Sequence, residues 1–295
     1  MKEQYGEPIR FHKKSLELID KCDGIVNEYI AQGFRLTIRQ LYYQLVARGF
    51  VENTVRSYEN VQSLMTNARL AGLIDWDAIE DRTRAFIERS HWTSGRQILY
   101  GAARGYHEDL WLGQESRVFV VVEKEALAGV LERVCHEYDM PLLPARGYPS
   151  ASTLREFAKE RIIGATRQIV VLHLGDHDPS GIDMTRDLID RLNTFTRDSV
   201  DIELKRIALT MEQVEEVNPP ANPAKQTDAR FESYRAQFGD ESWELDALSP
   251  TYLHSLVEDN VLPYIDIEQW EAAKERIERI KARISKLADN FKDDE

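Results

Sequence analysis

Two uninterrupted runs rich in β-branched residues do most to restrict the fold: Val118–Val122 (VFVVV) and Ile169–Leu174 (IVVLHL). A strand with no polar alternation has both faces buried, the condition of a parallel sheet covered by helices on each side. The segments between them agree. A helix is expected over Ala126–Tyr138, a short strand over Leu142–Ala145, then the loop Arg146–Ser150 (RGYPS). Helices are expected near Ala151–Lys159 and over Ile182–Phe195. This strand–helix alternation predicts an α/β domain with a parallel sheet.

The N-terminal third has a different pattern. Leu16, Ile19, Val26, Tyr29 and Ile30 stand near helical spacing within a helix over Phe11–Ile30, which Gly33 ends. Thr37 is expected to cap a second helix, Ile38–Ala47, and Asn53 a third, Thr54–Ala71, with Gly49 and Gly72 as stops. Leu73–Ile79 (LIDWDAI) alternates like a short strand or wing, just ahead of Arg82 and Arg84. Three helices and a wing predict a winged-helix module whose third helix, with Arg56, Asn67 and Arg69, faces DNA. A helical trio with no DNA partner has the same pattern. At the other end, Asn218–Ala224 (NPPANPA) is a connector. Trp270, Ala273, Ile277, Ile280, Ile284, Leu287 and Phe291 then step by three and four, a heptad seam for a partner helix or for the chain's own body. The organisation expected is residues 1–112, 113–266 and 267–295.

The net charge of -13 is unevenly spread. Residues 1–120 hold 16 Lys and Arg against 16 Asp and Glu, so the whole deficit lies beyond them. Gly33–Tyr106 carries ten arginines, no lysine and seven acids. Arginine is the better fork for phosphate oxygens, so a DNA-gripping part beside an acidic, metal-binding part is one reading. A solvated, ion-paired helical surface is the other. No apolar run is long enough for a membrane span, and Met1–Arg10 has no signal-peptide core. Cys22 and Cys135 are far apart with no C-x-x-C pairing, which predicts two buried thiols in a reducing cytoplasm.

In open α/β sheets the ligand site lies beyond the carboxyl ends of the strands. VFVVV runs into Glu123-Lys124-Glu125, and IVVLHL into Gly175-Asp176-His177-Asp178-Pro179-Ser180-Gly181. Carboxylates converging from adjacent strands repel one another unless a cation lies between them, and this hard-oxygen set suits Mg²⁺ or Mn²⁺. A zinc site on His173 and His177 requires a sharp turn at Gly175, because four strand residues rise about 13 Å. Lys124 and His177, interleaved with the acids, are read as phosphate contacts. Glu244 and Asp246 are either further acids of the site or the capped start of a helix ahead of Leu248.

These residues resemble a known family. A glutamate ending one strand and a D-x-D ending the next is similar to the Toprim domain. VVEKEA, ARGYPS and GDHDPSGI resemble the V-E-K, G-x-P and D-x-D-P-x-G-I segments of the type IIB topoisomerase A subunits, a group that includes the meiotic double-strand-break transesterase. Arg39-Gln40-Leu41-Tyr42-Tyr43 resembles that group's R-x-x-Y-Y winged-helix motif. The resemblance covers about residues 10–210, and the chain is closest to the short "Mini-A" relatives. It implies a winged helix followed by a Toprim-type α/β domain. It also implies Tyr43 as nucleophile, with Mg²⁺ (or Mn²⁺) on Glu123, Asp176 and Asp178 and Glu123 counted among the catalytic groups. A phenol needs a nearby cation to act at neutral pH, and Arg39, one helical turn before Tyr43, shares its helix face; a surface phosphate clamp or an ion pair is the other reading of Arg39. The implied partners are double-stranded DNA and a second copy, the tyrosine of one chain working with the metal of the other. An ATPase B-type subunit would be needed for strand passage, and a cytoplasmic, nucleoid-associated protein is expected. The rival expectations are a hydrolytic Toprim nuclease, with Tyr43 merely structural, and a non-catalytic DNA-binding protein.

Overall fold

A computed structural model describes residues 2–5, 8–80, 89 and 91–292. Four N-terminal helices, α1 (Lys13–Ala31), α2 (Ile38–Ala47), α3 (Val55–Leu70) and α4 (Gly95–Gly105), precede the first strand. The α/β part follows: β1 (Ser116–Val122), α5 (Ala128–Glu137), β2 (Leu142–Pro144), α6 (Ala151–Phe157), β3 (Gln168–Leu174), α7 (Pro179–Thr196), β4 (Ile202–Ala208) and α8 (Met211–Val217). The rest is β5 (Asn222–Pro223), α9 (Phe231–Phe238), β6 (Glu241–Ser242), α10 (Pro250–Val261) and α11 (Ile267–Asn290). The protein is therefore mixed α/β, with eleven α-helices among the described residues. None of the helices described is long and apolar enough to cross a membrane.

The four long-range strands form one parallel sheet in the order β2-β1-β3-β4. The reason for the uninterrupted apolar runs is visible in its two faces. Val118, Val120 and Val122 join Val170, Leu172 and Leu174 in a core with α1, α2, α3, α5 and α10. Phe119 and Val121 join Ile169 and Val171 in a second core under α6 and α7. Each such side chain contributes about 1.5–3 kcal/mol by leaving water, so a polar residue at any of these positions is costly. The first core is continuous from the N-terminal helices to the sheet.

Several expectations need correction. The third helix is capped by Thr54, whose hydroxyl accepts the Ser57 N–H, and not by Asn53. Asn53 instead donates to Ala221 O and Asn222 Oδ1, both at 3.0 Å. Leu73–Ile79 forms no strand: a 3₁₀ turn covers Trp76–Ala78, and only Ile79 makes a bridge, to Leu36. Arg82 and Arg84 lie outside the described residues. The strand β4 and helix α4 were not anticipated; β4 is an edge strand whose charged positions interrupt its apolar pattern, and α4 buries only Ala103.

The C-terminal helix packs on α4 of its own chain, with Tyr100 Oη donating to Asp289 at 2.5 Å. Its buried positions are Trp270, Ala273, Ile277 and Ala288, while Leu287 is 65% exposed. The stripe thus drifts with the 3.6-residue period of a straight helix, off the 3.5-residue seam that a supercoil would need.

Both cysteines are buried, and burial pushes each thiol up to about 12. In a thiol titration the native protein is expected to stay unreactive for minutes, with two thiols appearing on unfolding; prompt native labelling at either position would contradict this packing.

Candidate acidic site at the sheet edge

Strands β1 and β3 are neighbours in register, Val122 beside Leu174, so Glu123 and Gly175 leave the sheet together. The Glu123 N–H still donates to Leu174 O at 2.8 Å. Glu123 Oε2 accepts the Asp176 N–H at 2.8 Å, which turns the glutamate toward the aspartate pair. Asp178 caps α7: its Oδ1 accepts the Gly181 N–H at 2.6 Å and the Ser180 hydroxyl at 2.9 Å. Pro179 at the first helical position suits this start, since its missing N–H is not required there.

Gly181 is fixed by packing. A Cβ on it would lie 2.2 Å from Asp176 O. Gly181→Ala is therefore expected to displace the Asp176–Asp178 loop and cost about 1–3 kcal/mol, the usual range for overpacking. A melt unchanged within error would count against the loop geometry.

Arg206, on β4, holds the loop from beneath. Its Nη1 donates to Gly181 O at 2.8 Å and Thr185 Oγ1 at 3.0 Å; its Nη2 donates to Gly175 O at 3.0 Å and Asp176 O at 2.6 Å. Burial lowers its pKa to about 10, against the pull of Glu123, Asp176 and Asp178.

A second set of acids arrives from the segment after β6. Lys124 Nζ lies 2.9 Å from Asp176 Oδ2, 2.9 Å from Glu244 Oε2 and 2.7 Å from Asp246 Oδ2. Burial opposes the ammonium's charge, yet Asp176, Asp246 and Glu244 hold its pKa well above the ordinary range. Arg39 pairs with Glu244, and its Nε lies 3.5 Å from Asp246 Oδ2. Asp246 has no exposed surface, and its Oδ1 has no hydrogen-bond donor among the described residues. Glu244 and Asp246 both line a recess beside the strand-end acids, and Glu244 also stands at the start of a 3₁₀ turn, Leu245–Ala247, ahead of Leu248, without a side-chain cap bond.

Replacing Lys124 with methionine would leave three acids facing each other in a largely buried setting. The expected loss is about 3–5 kcal/mol at neutral pH, the scale for breaking a buried charge pair. Thermal melts check it, and Mg²⁺ is expected to raise the variant's melting temperature more than the wild type's.

A recess of about 510 Å³ is lined by Arg39, Glu123, Lys124, Asp176, Asp178 and Asn222, among others. The donor set fits a hard divalent cation. Burial raises the pKa of both Glu123 and Asp176, a sign that the acids are short of compensating charge. Glu123 Oε1 and Asp178 Oδ2 carry no hydrogen bond or ion pair among the described residues. Asp176 is engaged by Lys124 and by the Leu245 N–H at 2.7 Å, and no three ligand side chains described stand already gathered at ligand spacing. Binding by all three acids thus requires Asp176 to share or release the Lys124 ammonium.

A scan of protein-family models finds none that matches this chain, and a search of curated proteins also finds no match. The family resemblance accordingly stands on its motifs.

Next to the acid recess is a second one of about 470 Å³, lined by Arg39, Tyr42, Tyr43, Asn53, Tyr58, Asn222, Pro223 and Glu244. Arg39 and Tyr43 are one turn apart on α2, and the guanidinium carbon lies 5.9 Å from the Tyr43 ring centroid. Burial, then Glu244, pushes the Tyr43 phenol up to about 12; Arg39 and the facing Asn222 amide pull the other way.

The other expected site residues divide. Arg56 is exposed on α3, as a DNA contact would be. Arg69 is half-buried, stacked on Trp76 at 4.5 Å and donating to Trp76 O at 3.3 Å. Lys124 lines the acid recess and is paired there with three carboxylates. His177 is 1% exposed, with Nδ1 2.8 Å from Tyr234 Oη and Phe238 and Trp243 around the ring, so it cannot reach a phosphate, which corrects that reading. His173 pairs instead with Thr185 at 3.0 Å, and burial lowers it to about 3; the two imidazoles serve different partners, against the zinc reading. Arg206, Asn222 and Tyr234 were missed. Arg206 left one faint signal, a charge beside the apolar end of a strand (RIAL).

Proposed function

We propose that this protein cleaves DNA by transesterification, with Tyr43 as nucleophile and a Toprim-type acidic edge as its electrostatic partner. One observation carries the reading: Tyr43 and the acids at the strand ends line adjoining recesses whose shared wall is Arg39, Asn222, Pro223 and Glu244. The N-terminal helices then serve as a winged-helix DNA module, with Arg56 as a phosphate contact. Two copies acting on double-stranded DNA would break both strands, and strand passage would need a separate ATPase subunit.

The chemistry follows from the groups present. The Tyr43 oxygen attacks phosphorus, the bond to the 3′ oxygen breaks, and the 5′ end is left on the tyrosine. The phenol gives up its proton, and the 3′ oxygen takes one up. Arg39 stands on the phenol's face of α2, where its charge favours the phenolate. Glu123, Asp176 and Asp178 would hold Mg²⁺ or Mn²⁺, which would offset charge on the phosphate and the leaving oxygen.

The burial of Tyr43 also suits a hydrolytic nuclease in which this side chain is structural. Supercoiled plasmid incubated with the protein and Mg²⁺, then digested with protease, separates the two. Protein-linked 5′ ends support transesterification; free 5′ phosphates support hydrolysis. No cleavage, with DNA binding retained, would leave the non-catalytic reading.

A further inference from the structure

Six carboxylates and four basic side chains line the acid recess. Two of the bases are committed: Lys124 to Asp176, Glu244 and Asp246, and Arg39 to Glu244. The other two, Arg146 and Lys225, are exposed. Arg146 follows β2 with φ +56°, in the left-handed region of the backbone. Its neighbours fix it there, the Ala145 N–H donating to Val122 O at 2.8 Å and the Gly147 N–H to Glu123 O at 3.0 Å. Glycine or asparagine takes this conformation at less cost than arginine, so strain kept beside a site points to use of the side chain. Arg146 pairs with Glu125, but its side chain is 71% exposed, and a surface pair of that kind is easily exchanged. Lys225, just after β5, has no ion pair among the described residues. The Ala224 N–H, donating to Asp240 O at 2.8 Å, fixes the chain beside it.

The acids outnumber the bases by two, a deficit that one divalent cation would offset. A DNA strand then brings further negative charge to the same recess. Phosphates on either side of the scissile one need cations that face outward, and these two side chains do so. We propose that Arg146 and Lys225 hold the DNA backbone by the phosphates that flank the scissile one. This rests on the reading of DNA as the substrate of the acidic edge, and it holds whichever copy supplies the phenol.

Fluorescence anisotropy of a labelled short duplex, in Ca²⁺ buffer and over a range of salt, tests it. Arg146→Asn and Lys225→Gln are each expected to weaken binding about three- to tenfold and to lower the salt slope by about 0.9, the share of one phosphate contact. Together they should lower it by about twice as much. Arg146→Asn is also expected to melt no lower than wild type, because asparagine suits a left-handed backbone. A merely structural arginine would give the opposite result, a lower melt with binding unchanged. Arg279→Gln removes a similarly exposed charge from α11 and should leave the slope in place. A wild-type slope in either rim variant, or an equal shift in the α11 control, overturns the proposal while the DNA reading stands. Wild-type protein that binds no duplex removes the DNA reading itself, and this assignment with it.

Discussion

Tyr43→Phe is expected to lower the yield of protein-linked DNA ends by at least about a thousand-fold, the order lost when an enzyme's nucleophile is removed. The fold should barely notice. Tyr43 is 4% exposed and packs its ring edge-on against Tyr42 at 5.4 Å, contacts that phenylalanine keeps. Only the hydroxyl facing Asn222 is lost, worth about 1 kcal/mol or less. The two readouts must therefore separate: linkage gone, melting nearly unchanged. A pH profile adds a check. With the phenol near 12, cleavage should rise about tenfold per pH unit between 7 and 9 while chemistry limits the rate. Arg39, Glu244 and Lys124 are the charges that face this phenol, and none of them changes ionisation in that window by the directions of their shifts. A flat profile, or Tyr43→Phe protein that still cuts, would remove the phenol from the mechanism.

A loss of stability as large as that of Lys124→Met is expected at Arg206. Arg206→Met keeps much of the side chain's volume but removes the donors to Gly175 O, Asp176 O, Gly181 O and Leu209 O. These carbonyls lie where water has little access, and the nearby acids lose a compensating cation. The cost should be about 3–5 kcal/mol, near 10 °C in melting temperature for a domain of this size. Arg206→Lys restores charge without the planar fork, so it should recover only part of the loss. Equal melting of Arg206→Met and wild type would show that the loop holds its shape without the guanidinium.

Much of this molecule could be read from local pattern. The two β-branched runs announced a sheet buried on both faces, and they are the adjacent central strands β1 and β3. Thr37, followed by Gln40 three residues later, forms the reciprocal cap that starts α2. Glu123, Asp176 and Asp178 stood out because acids at the ends of apolar strands have to come together if those strands are neighbours. In each case a short stretch of chain carries enough periodicity or burial to decide its own geometry.

Other features depended on residues distant in sequence, and no local pattern could reveal them. Lys124 and His177 looked alike because both sit among acids in the chain. Folding gave the lysine three carboxylates and put the imidazole against Tyr234. The heptad steps of α11 described a seam equally good for a partner helix, until α11 packed on α4 along a different stripe and left Leu287 exposed. Arg206 is an ordinary strand arginine until β4 lies beside β3 and four carbonyls converge on it. What the sequence alone determined was which segments bury their faces and where acids must gather, since periodicity and strand ends are local properties. What the tertiary structure decided was which charges neutralise which, because a buried ion pair is made only when two distant segments leave water together.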